Sequence, residues 1–388
     1  MFKDPIFISI ILLTIESVVL GLAASTTTKK FFNYVPAVFW IYFVPMVISS
    51  SGLIDNKSYL YDLIIDYGLP ASLFLLLLGV DFLAILQLGK KGILVFLAGS
   101  LGIMLGATVA FSIFAPIVGS QFDKGFAAIA ASWMGGSANM VAVKEAIDTP
   151  DNVFLPMVIV DTVVPYIWMG VLIFLSSWQQ WIDTWNKADL RVLDAIRVRL
   201  QGFSQTTMQH MDWLKLIGIM IISFAISLLL KDFSKLLPII PGVISTFTWV
   251  ILLVSILGLA GSFTSLRKLE QNGLSKVGYF LLYFVLTSIG AKADVNYLGD
   301  SLLLIGAGFV IVIVHAIFLL FIVRVFKIPV MLAATASQAN LGGVASGPII
   351  AEIYQPGLSA IGLLMAILGN IMGTYLGIIV GQICRLLV

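Results

Sequence analysis

Two stretches, Gly135-Gly136-Ser137-Ala138-Asn139 and Ser337-Gln338-Ala339-Asn340-Leu341-Gly342-Gly343, set amides and hydroxyls beside glycines inside otherwise apolar runs. Glycine tolerates backbone angles that interrupt a helix. In hydrocarbon the freed N–H and C=O groups survive only where protein buries them or a wet cavity meets them. Ser132, Ser137 and Asn139 at the first stretch, with Thr335, Ser337, Gln338 and Asn340 at the second, supply neutral oxygens. A hard cation such as Na⁺ favours oxygen ligands. The N-terminal ends of half-helices add free N–H groups and partial positive charge, which suit an anionic solute. The structural alternative is that these side chains hydrogen-bond between packed helices while Gly135, Gly136, Gly342 and Gly343 permit close approach. Two such stretches at matching places in the two halves favour a binding site near the bilayer midplane.

Asp161 is the sharpest single residue. It lies mid-way along the apolar run Val153–Leu175, where a charge costs about 2.5–3.5 kcal/mol on insertion scales. As a carboxylate it could supply the charge of a Na⁺ site; as a buried acid it could exchange protons or simply hydrogen-bond a neighbouring helix. Pro165 in the same helix frees a carbonyl near residue 161. The predicted ion ligands are therefore Asp161, Asn139, Asn340 and Gln338. Asn370, followed five residues on by Tyr375, echoes Asp161 and Tyr166 and joins the candidate set. Glu16 could face a cavity or pair with a hydroxyl. Asp81 and Lys292 fall toward helix ends, where long side chains snorkel. Lys144, Glu145 and Glu352 close the two interrupted segments at the interface. His315, on an apolar helix, reads as a packing residue.

The elements that must position these groups follow from composition. Of 388 residues, 60% are hydrophobic and only 11% charged; soluble domains average about 25% charged, so this surface needs lipid. A net charge of +2 and the lack of basic runs argue against nucleic acid. One cysteine, Cys384, and two histidines, His210 and His315, provide neither an intrachain disulfide nor a multi-histidine metal site. No zinc-protease, nucleophile-elbow or nucleotide-loop motif occurs, so the expectation is a protein that is not an enzyme and needs no cofactor beyond Na⁺ or H⁺ as a coupling ion.

Hydropathy predicts about twelve spanning segments, near 5–24, 35–54, 63–87, 92–118, 125–147, 152–177, 213–230, 239–261, 275–292, 299–325, 329–353 and 357–384. The first has the look of a signal peptide but holds Glu16 and leads straight to another span, so it reads as a retained helix. Residues 1–177 and 213–388 form two membrane repeats. Between them, residues 178–212 carry Trp178, Trp181, Trp185, Val192, Ile196 and Leu200 at helical spacing, which reads as an interfacial amphipathic linker or a solvated helix. Six spans per half split the basic residues poorly, whereas one miscounted crossing between about 145 and 212 gathers most on one face and inverts the halves. The expectation is inverted repeats and 11–13 helices. Gly369, Gly373, Gly377 and Gly381 run at i+4 spacing down the last helix, with Gly102 and Gly106 in the fourth segment; tight packing against a broken helix is the first reading and a homodimer contact the second.

The runs Trp133-Met134-Gly135-Gly136-Ser137-Ala138-Asn139-Met140-Val141-Ala142 and Ser337-Gln338-Ala339-Asn340-Leu341-Gly342-Gly343 resemble those of a bacterial membrane family of unknown function, the YjcL-like proteins. The likeness covers nearly the whole chain. More distantly the layout resembles the cation/proton antiporter and bile-acid/sodium symporter superfamily. That resemblance implies two crossed discontinuous helices in a core domain that moves against a panel or dimer domain, with Na⁺ or H⁺ coupling at the crossing. It places Asn139 and Asp161 at the helix-break residue and the following-helix carboxylate. Ala138 and Asn139 stand where antiporters carry paired acids, and the glutamate-and-glutamine sodium signature of bile-acid symporters is missing.

The sequence thus predicts an all-α, multi-pass protein of the cell inner (plasma) membrane. Its expected partners are the lipid bilayer and a small solute, and its expected work is ion-coupled secondary transport by alternating access. Cation/proton antiport is the alternative, with a membrane scaffold or an intramembrane enzyme behind it.

Overall fold

The computed structural model describes residues 3–28, 31–32, 37–200, 213–239, 245–293 and 301–387. Its helices, in chain order, are α1 (Pro5–Ala24), α2 (Ala37–Ser50), α3 (Tyr59–Leu78), α4 (Gly89–Val118), α5 (Asp123–Gly135), α6 (Ser137–Ala146), α7 (Asp151–Ser176) and α8 (Gln179–Asn186). They continue with α9 (Arg191–Leu200), α10 (Trp213–Ser234), α11 (Thr246–Ser262), α12 (Leu274–Lys292), α13 (Ser301–Phe326), α14 (Val330–Tyr354) and α15 (Ser359–Arg385). No strand occurs among the described residues. Local chemistry fixes many of the ends. Asp4 accepts the Ile6 N–H at 2.8 Å ahead of Pro5, and Ser245 and Thr248 form a reciprocal capping box on α11. Gly119, at φ 96°, ends α4.

Eight described helices are long and apolar enough to cross a membrane, or nine if α11 and the short 3₁₀ helix bent 92° from it make one span. The twelve hydropathy segments exceed this for physical reasons. α2 has only 14 residues, the segment at 125–147 is split into α5 and α6, and α14 is interrupted. Hydropathy averages over a break that length and geometry expose.

The chain divides into two compact units. Unit 1 takes α1–α3, the stretch Lys144–Thr162 and α10–α12; unit 2 takes α4 to Val143, then α7 from Val163, α8, α9 and α13–α15. In unit 1, α12 packs on α1, α2 and α3, while α11 packs on α3 and α10. Small residues set the spacing: a Cβ at Gly290 would collide with the Tyr42 carbonyl, and one at Gly258 would sit 2.9 Å from that of Phe74. Lys292 pairs with Asp62 at 2.6 Å, Lys231 with Asp66 at 2.6 Å, and Lys144 lies buried between Glu145 (2.7 Å) and Asp151 (3.2 Å). Lys144 is therefore a buried, paired cation. Asp81 caps the short helix Phe82–Ile85.

In unit 2, α4 lies along α13, and Gly102 and Gly106 are the residues in contact, facing His315 and Ile311. α15 packs against α5 and α14. Here the glycine stripe acts as the first reading expected. A Cβ at Gly369 would strike the Met134 carbonyl, and one at Gly373 would lie 2.7 Å from Gly135 Cα. At Gly377 it would strike Ala131.

The linker becomes two helices rather than one, separated by Lys187 in the left-handed region. Residues 201–212, with His210, lie outside the described residues. Trp178, Trp181 and Trp185 are exposed, whereas Ile196 is buried. α8 is tied to the start of α14: Asp183 accepts the Val330 N–H at 2.8 Å and Asn186 donates to the Ile328 carbonyl at 2.6 Å. Burial raises the Asp183 carboxyl above its ordinary range, and the bonds from Val330 and Gln179 pull it back.

Two substitutions test this packing. Gly369→Ala should cost about 1–3 kcal/mol by overpacking, read as a lowered melting temperature in detergent. Gly170→Ala, where nothing lies within 4 Å, should leave the melting temperature unchanged or raise it. Equal melting for both would rule out the close backbone contact.

Candidate functional site

The two interruptions are real and both lie in unit 2. Gly136 takes φ 82°, ψ 172°, ending α5 and starting α6. Its N–H bonds the Ser132 carbonyl at 2.6 Å, so the last turn of α5 closes before the chain unwinds. Gly343 takes φ 59°, ψ −146° inside α14, a region essentially confined to glycine. Ala339 and Gly347 would lie about 12 Å apart in a straight helix. Here a Cβ built on Gly347 comes within 3.0 Å of the Ala339 Cα, so α14 turns back sharply at Gly343. The second break falls at Gly343, so Thr335, Ser337, Gln338 and Asn340, expected within it, all sit in the continuous, buried first limb.

A bridge holds the bend. Gln338 Nε2 donates to Ser346 Oγ at 2.8 Å, joining the two limbs, and also reaches the Pro165 carbonyl at 3.4 Å. Gly342 lies under this bridge, and a Cβ there would collide with Ser346 Oγ. Gly342 is thus glycine for space and Gly343 for conformation.

The paired asparagines are both committed to neighbouring helices. Asn139, in the first turn of α6, donates to the Asn370 carbonyl at 3.3 Å and to that of Gly135, and its Oδ1 accepts the N–H of Thr374 at 2.8 Å and the Thr374 hydroxyl. It engages both backbone groups that the i→i−4 ladder of α15 would join to each other. Asn340 Oδ1 accepts from Ser100 Oγ at 2.8 Å, and its Nδ2 donates to the carbonyls of Ala336 (2.8 Å) and Phe96 (3.4 Å). These amides lock α6 to α15 and α14 to α4.

Ser337 lies in a directional chain. Trp168 Nε1 donates to Ser337 Oγ at 2.9 Å, Ser337 lies 2.8 Å from His315 Nε2, and His315 Nδ1 lies 2.9 Å from the Gly99 carbonyl. A carbonyl only accepts, so Nδ1 carries a proton and donates to Gly99, while Nε2 and the Ser337 hydroxyl share the second bond. His315 is the satisfied packing residue that its apolar setting suggested.

Two oxygens stand apart. Thr335 Oγ1 and Gln338 Oε1, three residues apart on one side of α14, are buried and have no hydrogen-bond partner among the described residues. Ser132 is buried in the last turn of α5, while Gly136, Ser137 and Asn370 are half-buried. Asp161 is half-buried in α7 and belongs to unit 1, two residues before the division. Ser100, Trp168, Ser346 and Thr374 were not singled out from the sequence. Ser100 and Thr374 each follow a glycine in an apolar helix, which is the one signal that could have marked them. No group of three His, Cys, Asp or Glu residues able to hold a metal occurs among the described residues.

Residues 10–387 match the family described as a protein of unknown function, DUF819. The chain belongs to that family. It is also 24% identical over 352 residues to the uncharacterized membrane protein YjcL of Bacillus subtilis (strain 168), with 86% of each chain covered. The sequence-level resemblance to YjcL-like proteins therefore stands, and with the eight apolar helices it makes this DUF819 member a multi-pass membrane protein.

The Trp168–Ser337–His315 chain is open to a double-mutant cycle. Ser337→Ala and His315→Leu should each cost about 1–2 kcal/mol, and the double variant clearly less than their sum. Additive losses in thermal denaturation would exclude a direct bond between them.

Proposed function

We propose that this protein is an ion-coupled secondary transporter of a small organic solute, working by alternating access in the cell's plasma membrane. The observation that carries this reading is the pair of unpartnered oxygens, Thr335 Oγ1 and Gln338 Oε1, in the first limb of a helix broken at Gly343. A buried hydroxyl or amide oxygen without a partner costs about 1–3 kcal/mol. Every other amide of the two motifs is spent on packing, so these oxygens are the ones left for a cation or solute.

The break at Gly136, in the same unit, supports the same reading. α5 and α14 pack on one another and both pack on α15, so the two interruptions share one helix bundle. The half-helix α6 starts at half-buried residues, and its N-terminal dipole favours an anionic solute. In this reading the repeats 1–177 and 213–388 are inverted, 178–212 joins them, and Asp161 supplies the charge that Na⁺ or H⁺ coupling needs. Na⁺ would draw on Gln338 and Thr335 more than on Asn139 and Asn340, whose oxygens already accept hydrogen bonds.

Thr335→Val is the discriminating variant. It removes an unpartnered hydroxyl at nearly constant volume, so stability should hold or rise. Ligand binding raises apparent stability by mass action, and a metabolite screen by thermal shift, with and without Na⁺, identifies the solute first. Uptake of that solute into proteoliposomes should then fall at least tenfold in Thr335→Val. Full uptake in the variant removes Thr335 from the site. Asp161→Asn should abolish the ion dependence of uptake; if Na⁺ addition instead drives proton efflux from vesicles without any solute, the protein is a cation/proton antiporter.

A further inference from the structure

Unit 1 holds one acid that the reading above does not use. Glu16 sits in α1, a helix otherwise largely turned outward: 22% of its apolar window is buried, yet Glu16 itself is fully buried. Neither carboxyl oxygen has a hydrogen-bond partner among the described residues. α1 packs against α2 and α12, with Ile8 and Leu12 joining Tyr61 and Ala291 in one apolar cluster.

The titratable groups on the facing elements offer no counter-charge. α2 brings Tyr42, and α3 brings Tyr61, whose hydroxyl donates to the Asp55 carbonyl at 2.7 Å. α12 brings Tyr283, within electrostatic range of Glu16, and Tyr279 one turn away. Its two lysines lie near its ends: Lys276 is exposed and Lys292 is held by Asp62. An ionised carboxylate at this place would have surrendered its water for no donor and no cation among the described residues.

We propose that Glu16 is a proton-binding site. Its side chain is held as the neutral carboxylic acid, and the proton leaves only when α1 parts from α2 and α12 or water enters between them. The ligand is the proton itself, and the residue is a site on unit 1 rather than part of the broken-helix machinery of unit 2.

Isotope-edited infrared spectroscopy of the full-length protein in lipid tests this without requiring access by a reagent. The chain has only four glutamates, Glu16, Glu145, Glu270 and Glu352, so carboxyl-labelled glutamate gives an assignable spectrum. At neutral pH the wild-type protein should show an isotope-sensitive carbonyl band of a protonated glutamate, which Glu16→Gln loses and alkaline pH removes. Glu16→Asp should keep a protonated-acid band that no longer responds to the glutamate label, which covers the case of a Gln variant that does not fold. Four glutamates absorbing only as carboxylates at neutral pH, or a band unaltered by both substitutions, would overturn the proposal.

Discussion

Irregular backbone in a lipid-embedded protein has to be enclosed by other backbone, and the contact between α15 and α5 does that for unit 2. Gly369, Gly373 and Gly377 let α15 approach until it touches Met134, Gly135 and Ala131. At that spacing the Asn139 side chain can reach into α15 and take up the groups at Asn370 and Thr374. The Gly135 carbonyl at the break is taken by the same Asn139 side chain, which the contact with α15 holds in place. At the second break the close approach is that of Gly362, where a Cβ would strike the Gly347 backbone.

Polar side chains in these segments serve two purposes that composition does not separate. Asn139, Asn340, Ser337 and His315 form bonds whose donors and acceptors balance, and they define which helices are neighbours. Thr335 and one end of Gln338 do not balance. Gln338 itself is divided, its nitrogen spent on the clamp to Ser346 and its oxygen unspent.

The breaks, the all-helical class and the glycine-lined packing of the last helix were legible because each depends on residue type: glycine where backbone must unwind or approach. Which polar groups lie in the second break was not, since only Gly343 unwinds and Thr335, Ser337, Gln338 and Asn340 stay helical ahead of it. The sorting of polar groups was equally hidden, since Asn139 and Gln338 look alike until their partners, Thr374 and Ser346, are known. The count of uninterrupted spans was not legible either, because a hydropathy window does not distinguish a long straight helix from a 14-residue helix, a bent pair, a split segment or an interrupted helix. The division of α6 after Val143 and α7 after Thr162 between two units had no signature at all, being a property of tertiary packing.

The carboxylate of Asp183 gives the polar linker a mechanical role. By receiving the Val330 N–H it clasps the first turn of the helix that bends at Gly343, with Asn186 gripping the preceding strand of backbone at Ile328. Arg324 adds a third tether through the Trp185 carbonyl. The segment is therefore a handle: a load on α8 is passed through Asp183 and Asn186 to the first turn of the helix that bends at Gly343, and a cut near Lys187 would slacken it.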